Sequence, residues 1–181
     1  RQLELSEVAR AAHQAAVKQG RPGAPLRKPH ETAVDAITTG LLDLKLIEGP
    51  FEKAVAEKRY QGFFMHGTSH WLGLDVRDAG GATGLDGKPR RLAEGMVLTV
   101  EPGLYFNRDF AACPPGTAGI GIRIEDDVAV GPDGPLNLTL RLDVAPSDWA
   151  SLAAPSGETH PAIHAAQRTP ARAVAGFPLV P

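Results

Sequence analysis

"GMVLTVEPGLYF", residues 95–106, decides the reading of the fold. Met96, Leu98 and Val100 alternate with Val97, Thr99 and Glu101, the two-residue period of a strand rather than the 3.6-residue period of a helix. "GIGIRIEDDVAV", residues 119–130, repeats the alternation, with Ile120, Ile122 and Ile124 on one face and Gly121, Arg123 and Glu125 on the other. Working outward, residues from 62 onward fall into short segments punctuated by glycine, whereas the chain before them is helical in pattern. Leu5, Val8, Ala12 and Ala15 share one stripe, which predicts a helix over 3–19 with Gly20 as its stop. "RPGAPLRKP", residues 21–29, reads as a connector. Val34, Ile37, Leu41 and Leu44 predict a second helix over 30–46, and residues 51–58 a short helical turn.

The 181 residues suffice for one domain with a sizeable core, and a composition of 43% hydrophobic and 22% charged residues is that of a globular protein. A net charge of −2 excludes the strong field expected of a nucleic-acid or anionic-membrane binder. The single cysteine, Cys113, excludes an internal disulfide and suits a reducing compartment. No apolar run reaches the roughly 20 residues of a membrane helix, so a cytoplasmic location is expected. The chain opens at Arg1 rather than methionine, which suggests a fragment. From Ala145 the character shifts: six of the last 37 residues are proline, ten are alanine and two are acidic. The expected division is therefore 1–144 as the structured domain and 145–181 as a poorly ordered tail. His160 and His164 read as solvated histidines within that tail.

The chemistry converges on a few polar residues among the strands. A carboxylate on an otherwise apolar or small-residue face, as at Glu101 and Glu125, is costly to bury unless paired or bound to a cation. Either glutamate alone also admits a blander reading, a strand-end residue facing solvent. With His70, in the stretch "GFFMHGTSHWLGLDVRD" of residues 62–78, they make a His/Glu/Glu set, a common inventory for a divalent metal. The helical zinc motif HExxH is absent because Gly67 follows His66, and "GIGIRI" lacks the third glycine of a dinucleotide fingerprint. No elbow makes Ser69 a nucleophile, and Trp71 reads as core or pocket wall.

Taken in order, "FFMHGTSHWLGLDV", "GMVLTVEPGLYF" and "GIGIRIEDDVAV" resemble the second half of the pita-bread metallopeptidases, most of all the aminopeptidase P group. The likeness runs over roughly residues 1–140. It implies an α+β fold, the C-terminal half of a pita-bread domain, with a curved antiparallel sheet backed by helices. It also implies two divalent metal ions, typically manganese, with cobalt or zinc as alternatives. The implied activity is removal of the N-terminal residue from peptides with proline in second position. Carried over residue by residue, His70 and Glu101 would ligate one metal and Glu125 would bridge both. His66 would be a non-ligand histidine near the scissile bond, Glu101 would also move the proton, and Tyr105 and Arg123 would steady the carboxylates.

Two departures qualify the resemblance. Arg77 stands where aminopeptidase P usually has an active-site histidine, and an arginine is permanently charged and cannot relay a proton. The family also draws two aspartate ligands from upstream of the first helix, and Asp75, Asp78, Asp126 and Asp127 do not match them. The expectation is thus half an active site, inactive by itself, acting on a proline peptide when complete and capable of homo-oligomer formation. Prolidase activity on dipeptides is the near alternative, and a metal-free peptidase-like binding module the distant one.

Overall fold

Leu5, Ala9, Ala12 and Ala16 are wholly buried along one side of α1, Gln2–Val17. This stripe runs one residue beside the expected one, for Val8 and Ala15 are only half-buried. The helix also packs closely on its neighbour, where Val8 rides over Gly40: a Cβ there would lie 2.5 Å from Val8 Cγ1. That neighbour is α2, Lys28–Asp43, which opens on Pro29 and buries Ala33, Val34, Ile37, Thr38 and Leu41. After α3, Phe51–Ala56, and a 3-10 turn at Arg59–Gly62, Phe63 and Phe64 plunge into the core. The computed structural model describes residues 1–84, 86–108 and 113–139. The Pro/Ala-rich stretch 145–181, its boundary and both its histidines lie outside them.

The strands follow as β1 (Leu72–Gly73), β2 (Val76–Arg77), β3 (Val97–Val100), β4 (Gly103–Tyr105), β5 (Gly121–Arg123), β6 (Asp126–Gly131) and β7 (Gly134–Asn137). All pairings are antiparallel: β1 with β2, β3 with β6, β6 with β7, and β4 with β5. The two strands expected over 95–106 and 119–130 are each broken in the middle, at Glu101-Pro102 and at Ile124-Glu125. Register is nevertheless conserved across the gap. Val100 faces Asp126 before it and Gly103 faces Arg123 after it, which puts Glu101 directly opposite Glu125. Pro102 has no N–H to donate to the ladder, and only its carbonyl is used, by the Ile124 N–H at 3.3 Å.

The other edge of β3 is lined by residues 68–71. Thr99 N–H donates to the His70 carbonyl at 3.0 Å, Glu101 N–H to the Thr68 carbonyl at 2.8 Å, and Trp71 bridges Leu98. α1 packs on the sheet face carrying Val100, Leu104, Ile122 and Val128, and α2 packs on α1 in the same core. No described helix is long and apolar enough to cross a membrane.

Candidate metal centre

His70, Glu101 and Glu125 each present one ligand atom, and these atoms all lie within 4.8 Å of one another. No other group of three histidine, cysteine or acidic side chains does so among the described residues. Three adjoining segments deliver them: the 68–71 edge segment, the gap after β3 and the gap before β6. Directly opposed residues of an antiparallel pair project to the same face, so the gap aims both carboxylates one way. Asp126, one residue on, turns to the opposite face, where it meets His13 Nε2 at 3.2 Å and takes a hydrogen bond from Asn137 Nδ2 at 2.5 Å.

Glu101 is 7% exposed, and each of its oxygens is tethered. Thr99 Oγ1 donates to Oε1 at 3.1 Å, and Arg123 Nη1 lies 3.3 Å from Oε2. Thr99 is itself fixed, accepting the His70 backbone N–H at 3.1 Å. The solvent-facing reading of a lone glutamate therefore fails for Glu101, while Glu125 is exposed at the mouth of the cluster.

The donor set fits a cation. His70 Nδ1 lies 2.9 Å from the Trp71 carbonyl, an acceptor, so Nδ1 carries the proton. In the neutral ring this leaves Nε2 as the ligand atom, 3.3 Å from Glu101 Oε1, acceptor beside acceptor. Two carboxylates placed opposite each other, one of them buried, repel as well. A divalent cation removes both conflicts, and a backbone carbonyl behind the ligating imidazole is the usual way of fixing its tautomer. One nitrogen and carboxylate oxygens suit zinc, manganese or cobalt.

Beside the cluster runs a directed string. Arg123 Nε donates to Tyr105 Oη at 2.6 Å, and Tyr105 Oη meets His66 Nε2 at 2.9 Å. His66 Nδ1 donates to the Gly67 carbonyl at 2.8 Å, which leaves Nε2 to accept the tyrosine proton. The bond to Tyr105, and secondarily the nearby Glu101 and Glu125, raise the pKa of Arg123, against the effect of desolvation. Gly103 makes the string possible: a Cβ there would sit 2.7 Å from Tyr105 Oη and from the Ile122 carbonyl.

Arg77 is not drawn in. It stands exposed on the β1–β2 hairpin, and no hydrogen bond or ion pair joins it to the cluster among the described residues. Conversely, Thr99, Thr68 and His30 support the site without having been singled out from sequence. Only Thr99 left a signal, lying two residues before Glu101 on the same strand face.

Residues 1–132 match the model of metallopeptidase family M24. The chain is 39% identical over 151 residues to the Xaa-Pro aminopeptidase of Escherichia coli strain K12, covering 83% of this chain and 34% of that protein. In structure it resembles the Pseudomonas aeruginosa aminopeptidase PepP, with a TM-score of 0.77 and 37% identity over 83% of this chain and 34% of that one. It equally resembles aminopeptidase P from E. coli with the inhibitor Pro-Leu, with a TM-score of 0.75 and 39% identity, again over 83% and 34%. The chain thus spans about a third of the length of the relatives it matches. The α+β, pita-bread expectation holds.

Proposed function

This chain belongs to metallopeptidase family M24, and on that footing we propose that it carries the metal-binding part of an Xaa-Pro aminopeptidase. The observation that supports this most is the pair of glutamates held face to face in a strand gap with the His70 lone pair beside them. His70, Glu101 and Glu125 would hold a divalent cation, and the exposed Glu125 would be the one open to a second. Manganese is the first choice and cobalt or zinc the alternatives. Such a cation lowers the pKa of water and polarises a peptide carbonyl.

The remaining work falls to side chains. Glu101 Oε1 takes a proton from the attacking water and returns it to the departing nitrogen. Its other oxygen, Oε2, stays anchored by Arg123 throughout. His66, tethered by Gly67 and Tyr105, offers its ring to the substrate beside the scissile bond. A proline at the second position of the peptide is the substrate feature shared with the relatives' names. The described residues furnish ligands for one cation, so full turnover calls for further carboxylates at the second.

The test has two readings. Calorimetric titration of the 181-residue chain with manganese should give one tight site, abolished by His70→Ala. Peptide assays should then compare an Xaa-Pro tripeptide, the Xaa-Pro dipeptide and an Xaa-Ala control, with and without a separately made segment carrying two aspartates. Tripeptide cleavage that appears on mixing supports the proposal, and dipeptide cleavage alone turns it to prolidase. No cation binding at all would leave only a binding module.

A further inference from the structure

We propose that His30 is a positioning residue for the metal centre, acting through Thr68 to hold the His70 loop and the Glu101 strand in one frame. The inference rests on the reading of His70, Glu101 and Glu125 as ligands. Thr68 is the junction. It is fully buried, its carbonyl accepts the Glu101 N–H at 2.8 Å, and its Oγ1 shares a 2.9 Å hydrogen bond with His30 Nδ1. It also stands two residues from His70 and two from His66.

The loop needs such an anchor. Residues 63–70 are neither helix nor strand, yet they must present His70 to within a fraction of an ångström of a productive position. The β3 and β4 edge holds them from the sheet side, through the Thr99, Glu101 and Tyr105 amides and the Thr99 and Tyr105 hydroxyls. His30 supplies the other side from α2, the third residue of a helix whose face is packed into the core. Its ring also packs 5.6 Å from Phe64, which in turn meets His66 edge-on at 5.0 Å. One imidazole therefore braces the loop ahead of both histidines. Burial, with Arg27 and His66 adding to it against Glu31, lowers the His30 pKa and keeps the ring neutral, so it adds no charge behind a cation site.

The test is a double-mutant cycle on cation affinity in the full chain, with manganese alone as the probe. His30→Leu and Thr68→Val should each weaken binding roughly tenfold, the low end for outer-shell partners. The double variant should bind no worse than the weaker single, because one hydrogen bond is lost only once. His30→Asn, which returns an amide to the Nδ1 position, and Thr68→Ser should recover most of the affinity. Thr68→Val is nearly isosteric, so it reads out the hydroxyl even where His30→Leu folds poorly. Unchanged affinity with a lowered melting temperature, or losses that add in the double variant, overturns the inference and reduces His30 to a packing residue. A parent chain that binds no manganese removes the ligand reading and the inference together.

Discussion

Glu101 shows how one residue can be costly to the fold and necessary to the site. It is a buried carboxylate placed opposite Glu125, and without a cation that juxtaposition opposes folding. Glu101→Gln should therefore have opposite effects in two conditions. In chelator-treated protein it should raise stability by about 0.5–1 kcal/mol, the scale of a cross-strand pair, because a like-charge contact is removed. With manganese present it should lose affinity by more than the ~10–100-fold typical of an outer-shell partner. Urea melts with and without manganese check both, and a variant less stable in chelator would mean that Arg123 and Thr99 outweigh the repulsion. Gly103 makes a second case. Gly103→Ala forces a methyl against Tyr105 Oη and a backbone carbonyl, so it should cost about 1–3 kcal/mol and detach Tyr105 from His66. The histidine ring signals in NMR should then report an altered His66 environment, and unchanged signals would count against the string.

Among the elements, the helices were legible because their core faces obey a period, and the expected bounds differ from the observed ones by one to three residues. The stripe of α1 was displaced by one residue: Val8 lies half-buried over Gly40 of the neighbouring helix, while Ala9 is wholly buried. That contact is testable. Gly40→Ala gains up to ~1 kcal/mol of helix propensity but places a Cβ 2.5 Å from Val8 Cγ1, an overpacking worth about 1–3 kcal/mol. A net loss of about 1 kcal/mol is expected, and Val8→Ala in the same chain should recover it; stabilisation by Gly40→Ala alone would show that the helices part freely. The broken strands were less legible. Alternation of faces survives a gap that keeps register, so residues 95–106 and 119–130 read as continuous although the ladder stops at both glutamates. Pro102 was the visible sign that the ladder could not continue.

Across the whole molecule, the meeting of His70, Glu101 and Glu125 depends on partners 24 to 55 residues apart, which no local pattern encodes. Residue type alone suggested a His/Glu/Glu metal set, and the motifs' resemblance to a family assigned each member its role. His30 was inaccessible even so, since a histidine and a threonine 38 residues apart carry no period and no motif. Yet His30 should set part of the chain's response to acid. Its pKa in the folded chain lies below the ordinary histidine value of 6.5, mainly through burial, so the fold keeps the ring neutral while an unfolded chain protonates it. In the window below pH 6.5 and above the folded pKa, unfolding takes up a proton that the native state refuses. Stability therefore rises with pH through that window, is fully present above it, and is lost as pH falls toward the folded pKa. For one such group the slope reaches at most about 1.4 kcal/mol per pH unit. Urea denaturation of the metal-free chain at several values between about pH 5 and pH 7 should show this slope, reduced in His30→Asn by the share of one proton. Chelation matters to the design, because protons also compete with a cation for His70 and would superimpose their own dependence. If parent and variant lose stability in parallel on acidification, His30 is protonated as easily in the fold as out of it, and the neutral brace behind Thr68 is not what holds the loop.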